Sequence, residues 1–337
     1  MASSAETTSS VQSDLEQLRA AVASWFERAQ LARFLGAGDG EIEAMGLDWL
    51  ARSGKRWRPF LVAALDRACR DQEAGAPRED VKSVAIAVEC IHKASLIYDD
   101  IQDDDKRRYG EQTLHRVHGV PIALTVSLYL LGQGYRLIAG CAASDAQRVE
   151  MLKLATAGHR DLCLGQGREL LWMNNPTPLT VPQVLDLFRW KTAPSFEVVC
   201  RLPAMSAGAG PEVHEVLRNF SHSVGVAYQV QDDLEDFHGR SDVDDVQARR
   251  PSVVLALAHE LARGAAKAKV AEAWCGSAVK VNIEEVRRII ATVGAESKAR
   301  EIIASYKRAA LDALRPLTQM KLKVLLCRVT DKMLPDA

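Results

Sequence analysis

"VKSVAIAVECIHKASLIYDDIQDD", residues 81–104, is an apolar segment that ends in a cluster of aspartates. Its apolar residues recur every three or four positions, which is the spacing of a helix face. The same spacing continues in "VPIALTVSLYLLGQGYRLIAG" (120–140) and "VPQVLDLFRWKTAPSFEVVCRL" (181–202), and we find no convincing alternating strand. The pattern predicts an all-α bundle, with helix 120–140 either central or buried at a subunit contact.

The composition is that of a globular chain. Its 337 residues are 47% hydrophobic and 26% charged, enough to bury a large core. We expect a single domain over residues 13–337 and a disordered polar tail over residues 1–12. The net charge of −1 argues against nucleic-acid binding, and no apolar run suggests a transmembrane segment. Seven scattered cysteines without a CxxC pair favour a cytoplasmic location over a disulfide framework or a zinc site.

The order Asp-Asp-x-x-Asp occurs twice, each time at the end of an apolar helical segment. The six residues are Asp99, Asp100, Asp103, Asp232, Asp233 and Asp236. The first and last aspartates of each copy are four positions apart and therefore share a helix face. Their carboxylates repel unless protons or cations compensate, and Mg²⁺ typically takes one or two protein carboxylates together with water or phosphate oxygens. The repeat predicts a Mg²⁺ site with an anionic ligand, while a solvated acidic loop stays the simpler interpretation for Asp104 and Asp105.

An anionic ligand also needs basic side chains, and three short segments supply them. These are Lys55 and Arg58 in "SGKRWRPF" (53–60), Arg107 and Arg108 in "DKRRYG" (105–110), and Lys191 beside Thr192 in "FRWKTAPSF" (188–196). Arginine offers bidentate hydrogen bonds to phosphate, and lysine offers a point charge. Together with the two aspartate motifs, they indicate a phosphorylated ligand.

The segments "GKRWRP", "CIHKASLIYDDIQDD", "GEQTLHRVHGVPIAL", "GQGREL", "KTAPSF" and "YQVQDDLEDF" follow one another in this order. Over about residues 50–260 the chain thereby resembles the trans-isoprenyl diphosphate synthases, the polyprenyl synthetase family. The resemblance implies an isoprenoid-synthase-type helical bundle around a central active-site cavity, usually in a homodimer. It also implies Mg²⁺-assisted ionisation of an allylic diphosphate, attack by the double bond of isopentenyl diphosphate, and loss of a proton.

The resemblance assigns a role to each candidate residue. Asp99 and Asp103 would hold two Mg²⁺ ions and Asp232 a third, Asp236 would support through water, and Asp100 and Asp233 complete the metal-binding motifs. Lys191 and Arg108 would hold the allylic diphosphate, with Arg107 beside them, whereas Lys55, Arg58 and His92 would hold isopentenyl diphosphate. Thr192 and Gln229 would lie near the developing cation. Lys191, Thr192 and Gln229 are thus the expected catalytic residues.

One departure from the family pattern keeps the reaction open. Tyr109 stands where the family has a second arginine that binds isopentenyl diphosphate, and a phenol offers one neutral hydroxyl instead of a charged fork. Chain elongation with isopentenyl diphosphate remains the favoured interpretation. The alternatives are a cyclase or prenyltransferase of the same fold that ionises a polyprenyl diphosphate without isopentenyl diphosphate, and a noncatalytic partner of a heteromeric synthase.

The resemblance also predicts product length. Ala94 and Ser95 lie five and four residues before Asp99, about one helical turn below the metal-binding end. Family members that stop at fifteen carbons commonly carry Phe or Tyr at this level, and both residues here are small. We therefore expect a product of about twenty carbons or more.

Overall fold

The computed structural model describes residues 14–36, 38–52, 54–72, 77–237, 250–276 and 282–335, and helices account for most of them. The elements are numbered in chain order over these residues. The helices are α1 (14–24), α2 (Arg28–Leu35), α3 (Glu41–Ala51), α4 (Trp57–Cys69), α5 (Glu79–Gln102), α6 (Leu114–His118), α7 (Val120–Ala139), α8 (Asp145–Asn174), α9 (Val181–Lys191), α10 (Ala193–Ser206), α11 (Pro211–Phe237), α12 (Val253–Leu261), α13 (Gly264–Cys275), α14 (Ile283–Val293), α15 (Ala295–Ala313) and α16 (Met320–Met333). The prediction of an all-α fold is confirmed.

A single hairpin interrupts the helices of the described segments. Strands β1 (Arg107–Arg108) and β2 (Glu111–Gln112) pair antiparallel, with Arg107 opposite Gln112. Tyr109 and Gly110 close the hairpin with φ values of 57° and 81°. Two left-handed residues in a two-residue loop form the tight turn whose twist matches that of the paired strands. The sequence pattern indicates no strand here, because two-residue strands are too short to alternate.

The chain packs as two compact units, and each is described by itself. The first comprises residues 1–155 and 199–210, and the second comprises residues 156–198 and 211–337. The prediction of one domain over residues 13–337 stays a prediction. The expected tail at residues 1–12 lies outside the described residues.

In the first unit, α5 packs against α4 and α7. Its buried residues, which include Val84, Ala85, Ile86 and Ala87, cover every side of the helix in its middle turns. A helix that is apolar all round is a core helix. Acidic Glu79 and Asp80 in its first turn complement the positive end of the helix dipole, so the helix starts two residues before the apolar pattern.

Helix α7 matches the predicted segment but exposes part of its apolar surface. Val120, Ile122 and Leu128 are exposed, with 58% of the Leu128 surface accessible. By length and composition alone, this 20-residue helix is apolar enough to cross a membrane, and 39% of its most apolar stretch is buried. The expectation of no transmembrane segment stays a prediction, and the described residues contain this one candidate span. One such helix remains weak evidence, because core helices pass the same test.

In the second unit, α11 packs mainly against α15, and α12 is buried among α9, α11, α13, α14 and α15. Residues 253–258 of α12 are all buried. The predicted helical segment 181–202 is two helices, because Thr192 leaves the helical conformation at φ −123° and ψ −46°. A capping box of Thr180 and Gln183 starts the first of them.

Candidate active site

Both aspartate motifs lie at the carboxyl ends of long helices. Asp99 is in the last turn of α5, and Asp232 and Asp236 are in the last two turns of α11. A helix carboxyl end carries partial negative charge and is stabilised by cations, so carboxylates have the unfavourable sign there. Neither of these fully described helices has a basic residue in its last turn. Each end is therefore a place where a bound cation would relieve repulsion.

The first motif presents two half-buried carboxylates one helical turn apart. Helix α5 ends at Gln102, and the backbone N–H of Asp103 still donates a 2.9 Å hydrogen bond to the carbonyl of Asp99. Among the described residues no group of three or more His, Cys, Asp or Glu side chains could hold a metal by itself. Mg²⁺ needs no such group, because one or two carboxylates suffice when phosphate and water complete its shell. Oxygen donors at a helix carboxyl end fit this ion.

The second aspartate of the first motif has a protein partner. Asp100 is buried, and one of its oxygens accepts a 2.7 Å hydrogen bond from Nε of Arg108. Burial raises the pKa of this carboxyl, and the charge of Arg108 opposes that rise. Nη2 of Arg108 also donates to Asp105 at 3.0 Å. These contacts do not support the predicted metal-binding role of Asp100 and instead indicate that it positions Arg108.

The two aspartates outside the motif differ from each other. Asp104 is exposed and pairs with Arg116 at 2.6 Å, as a solvated residue would. The expectation that Asp105 faces solvent is wrong, because its side chain is 22% exposed and binds Arg108. Its carbonyl also accepts a 2.8 Å hydrogen bond from the hydroxyl of Thr113. Asp105 therefore fixes the start of the hairpin.

The outer and middle aspartates of the second motif differ in burial in the same way as those of the first. Asp232 and Asp236 are half-buried, whereas Asp233 is buried. Oδ2 of Asp233 accepts hydrogen bonds from the backbone N–H groups of Val253 at 2.7 Å and Val254 at 3.1 Å. A carboxylate that binds the free N–H groups at the start of α12 stabilises that helix. Its contacts do not support metal binding and indicate a structural role.

The predicted pair Lys191 and Thr192 lies at the break between α9 and α10. Nζ of Lys191 donates to buried Glu169 of α8 at 2.7 Å. The hydroxyl of Thr192 donates to the side-chain oxygen of Gln229 on α11 at 2.6 Å. The structure thus brings the three predicted catalytic residues of the second unit together. Glu169, which lies in "GQGREL", is a partner that the sequence analysis did not identify.

Two glycines allow the backbone at this break to lie where it does. A Cβ atom on Gly165 would be 2.5 Å from the backbone nitrogen of Lys191. A Cβ atom on Gly225 would be 2.7 Å from the Cα atom of Ala193. Both distances are shorter than any ordinary contact between a Cβ atom and backbone. The break is therefore held between α8 and α11 at positions that accept only glycine.

The predicted isopentenyl diphosphate ligands lie partly together in the first unit. Nη1 of Arg58 is 3.0 Å from Nε2 of His92. A guanidinium only donates, so Nε2 accepts and the imidazole is neutral. Burial and then the charge of Arg58 place the pKa of His92 well below its usual value. Lys55 is exposed, and so is Arg107, which donates to the carbonyl of Gly110 at 3.0 Å.

The two predicted chain-length residues differ in exposure. Ala94 is buried, and its carbonyl accepts a 2.8 Å hydrogen bond from the hydroxyl of Ser127 on α7. Ser95 is half-buried, and its hydroxyl donates to the carbonyl of His92 at 2.8 Å. Only the Ser95 position has accessible surface through which a substrate tail could lie against it.

Lys93 is a second site residue, after Glu169, that the sequence pattern does not indicate. Lys93, next to His92, has no exposed surface, and its Nζ lies 3.9 Å from the centroid of the Tyr109 ring. Burial, followed by the charge of Arg56, lowers its pKa to about 7. A lysine in an apolar helical segment does not by itself predict a lowered pKa or an aromatic contact. The contact with Tyr109 depends on a hairpin sixteen residues later in the chain.

Basic residues after the second motif are only partly described. Arg240 and Arg249 lie outside the described residues. Arg250 is half-buried, and its carbonyl accepts a 2.8 Å hydrogen bond from the indole of Trp274.

Comparison with known proteins gives one consistent picture. A sequence profile described as polyprenyl synthetase matches residues 40–293. A short chain isoprenyl diphosphate synthase of Methanocaldococcus jannaschii is 30% identical over 190 residues, which are 56% of this chain and 56% of that protein. A geranylgeranyl diphosphate synthase of Mycobacterium tuberculosis is 29% identical over 287 residues, which are 82% of this chain and 80% of that protein.

Solved structures agree in fold. The crystal structure of geranylgeranyl pyrophosphate synthase from Corynebacterium glutamicum, complexed with isoprenyl diphosphate and magnesium, has a TM-score of 0.80. The match covers 96% of this chain and 99% of that chain at 20% sequence identity. At this identity the likeness concerns the fold alone.

Proposed function

The chain belongs to the polyprenyl synthetase family, and from this membership we propose that it is a prenyltransferase that lengthens an allylic diphosphate with isopentenyl diphosphate. Membership confirms the resemblance noted in the sequence. The observation that carries the proposal is that the matched residues 40–293 contain both aspartate motifs, each at the carboxyl end of a long helix. The names of the relatives, which are isoprenyl diphosphate synthases, support the same class of reaction.

Mg²⁺ is the proposed cofactor, with three ions per site. Asp99 and Asp103 would bind two ions, and Asp232 the third with help from Asp236. When bound, Mg²⁺ supplies the Lewis acid that stabilises charge on a departing diphosphate. The half-buried carboxylates and the unfavourable charge of both helix ends support this assignment.

The basic side chains would bind and orient the two substrates. Arg108, fixed by two carboxylates, presents a directed guanidinium for the allylic diphosphate, and Lys191 adds a flexible charge. The remaining surface of Arg58, with neutral His92 and exposed Lys55, would bind isopentenyl diphosphate. The Thr192 hydroxyl is held by Gln229, which leaves its lone pairs free to face a developing cation.

The principal alternative is a cyclase or prenyltransferase that ionises a polyprenyl diphosphate without isopentenyl diphosphate. Tyr109, which replaces a charged arginine, is the observation that favours it. A noncatalytic role in a heteromeric synthase has less support, because both aspartate motifs are complete.

We propose a product of about twenty carbons or more, on the grounds that Ala94 and Ser95 are small. The exposed apolar surface of α7 at Val120, Ile122 and Leu128 supports a homodimer, since such a surface is normally covered. The free thiols of all seven cysteines suit the reducing cytoplasm that we propose for this enzyme.

The deciding experiment incubates the purified protein with Mg²⁺ and allylic diphosphates of ten, fifteen and twenty carbons, with and without isopentenyl diphosphate. Mass spectrometry identifies the products. Longer diphosphates that form only with isopentenyl diphosphate support elongation. A hydrocarbon or alcohol formed without it favours the alternative, and the absence of any product with every substrate contradicts both enzymatic functions.

A further inference from the structure

Lys93 is a buried lysine with few partners for its charge. None of its surface is exposed, and its Nζ makes one long hydrogen bond, 3.4 Å, to the carbonyl of Arg52. Its other close contacts are aromatic, with the ring centroid of Tyr109 at 3.9 Å and that of Trp49 at 5.9 Å. An ammonium group has three donors and loses strong hydration when buried. The site is therefore poor at holding the proton unless an anion comes near.

Six titratable groups surround Lys93, of which the three arginines share its sign of charge while His92 and Tyr109 are neutral. They are Arg52 at the end of α3, Arg56 in the following loop, Glu89 and His92 on α5, and Arg108 and Tyr109 on the hairpin. Glu89 is bound to Arg56 at 2.7 Å, and both side chains are almost fully buried. The other two arginines are paired as well, Arg52 with Glu111 at 3.1 Å and Arg108 with Asp100 and Asp105. Lys93 thus has no ion-pair partner among the described residues, and an incoming anion would stabilise its charge.

Tyr109 connects this buried charge to the surface that would bind isopentenyl diphosphate. Its ring lies beside the loop that carries Lys55, since a Cβ atom on Gly54 would be 3.7 Å from the Tyr109 hydroxyl. Next to Lys93 on α5 is His92, which is bound to Arg58. Tyr109 is 37% exposed as a residue, and Nζ of Lys93 lies over its ring.

We propose that Lys93, acting through the ring of Tyr109, is a positioning residue that supplies positive charge to the subsite for the diphosphate of isopentenyl diphosphate. The inference rests on the proposed function. A guanidinium combines a charge with hydrogen-bond donors, and here the two properties are divided between a lysine and a tyrosine hydroxyl. A unit charge beside the Tyr109 ring in a low-dielectric setting still attracts an anion that binds the tyrosine hydroxyl.

Proton uptake follows from this arrangement. With a pKa of about 7, Lys93 is largely neutral at pH 8 in the free protein. A bound diphosphate favours the ammonium form, so binding at pH 8 draws a proton onto Nζ from the buffer. A purely structural lysine, whose surroundings do not change with ligand, takes up none.

The test measures isopentenyl diphosphate binding by calorimetry at pH 8, without Mg²⁺ or allylic substrate, in two buffers with different ionisation enthalpies. We expect wild type to take up a substantial fraction of a proton and Lys93→Met to take up much less, with at least tenfold weaker binding. Lys93→Arg, which is always charged, should bind well without uptake. Lys82→Met is the matched control, because Lys82 lies on the same helix with Nζ 4.9 Å from the Phe34 ring.

Kinetics and a second ligand separate this inference from the proposed function. In a wild-type enzyme that elongates, Lys93→Met should raise KM for isopentenyl diphosphate at least tenfold, with the allylic KM and kcat changed less than threefold. Unchanged KM and unchanged proton uptake in Lys93→Met overturn the inference while elongation stands. The protein could make no product and still bind inorganic diphosphate in a way that depends on Lys93. That outcome overturns only the proposed function. If the variants fail to fold, the wild-type protein alone decides. The proposed role of Lys93 is rejected if wild type takes up no proton when it binds isopentenyl diphosphate or inorganic diphosphate.

Discussion

Nε of Arg108 donates a 2.7 Å hydrogen bond to Asp100, the second aspartate of the first motif. Asp233, the second aspartate of the other motif, likewise binds protein donors at the start of α12. In both motifs the middle carboxylate is buried and engaged, while the outer two are half-buried. This division implies that substitutions within one motif have different consequences.

Replacement of an outer aspartate should affect activity far more than folding. We expect Asp99→Ala and Asp232→Ala to lower turnover by roughly two to three orders of magnitude or more, because a departing diphosphate loses electrostatic stabilisation. Chelation with EDTA should have the same effect on wild type, and added Mg²⁺ should reverse it. Asp104→Ala, at an exposed position outside the motif, is the control. Near-normal turnover of Asp99→Ala would indicate that the aspartate cluster is a solvated acidic loop and not a metal site.

Replacement of a middle aspartate should instead reduce stability. In Asp100→Asn the amide oxygen still accepts from Arg108 but the charge is lost, so we expect unfolding to become easier by about 1–3 kcal/mol. Turnover should fall less than in Asp99→Ala. Denaturant titration together with the product assay checks this, and a stability equal to that of wild type would show that the pair contributes nothing.

The pH dependence of the free energy of unfolding should show the lowered pKa of Lys93 in the folded protein. Its pKa is lowered from 10.5 to about 7 in the folded protein, so the unfolded chain binds more protons between these values. The free energy of unfolding therefore rises with pH across this window, by up to about 1.4 kcal/mol per pH unit from this group. Below pH 7 the contribution is constant.

Denaturant titrations from pH 7 to 9 measure that slope. Lys93→Met should have a flatter slope than wild type, whereas Lys82→Met should keep the wild-type slope. Equal slopes for all three proteins would mean that Lys93 keeps an ordinary pKa in the folded state.

Product length should respond to the half-buried Ser95. A phenylalanine there would extend into accessible space, so Ser95→Phe should shorten the main product towards fifteen carbons while the first condensation continues. Ala94→Phe would overpack a buried position, with a cost of about 1–3 kcal/mol, and should mainly lower stability. Product analysis by mass spectrometry and thermal unfolding distinguish the two effects. Unchanged product length in Ser95→Phe would place the substrate tail elsewhere.

Restoration of an arginine at position 109 should depend on Lys93. Tyr109→Arg alone brings a second cation against the buried lysine, so we expect no decrease in KM for isopentenyl diphosphate. The double variant Lys93→Ala with Tyr109→Arg removes that repulsion and should bind more tightly than Lys93→Ala alone. A double-mutant cycle on KM measures the coupling. Additive effects would show that the two side chains act independently.

The sequence predicts those features of the fold and of the site that depend on the local spacing of residues. Periodicity located the helices, and the four-residue spacing of Asp99 and Asp103 placed them on one helix face. Contacts between distant segments were not predictable in this way. Lys93 and Tyr109 meet only because a two-residue turn folds the hairpin back onto α5, and Thr192 leaves the helix although its apolar pattern continues. Asp100 looked like a ligand because nothing local indicated that Arg108 would reach it.

The close approach of Gly165 and Gly225 to the chain at Lys191 and Ala193 has a consequence for movement during turnover. A backbone held so tightly against two helices has little freedom to shift when a substrate arrives. We therefore expect adjustment to come from the four-carbon stem of Lys191, whose Nζ would exchange Glu169 for a phosphate oxygen by a change of rotamer. Such changes take picoseconds to nanoseconds for accessible side chains, so this step should not limit the rate.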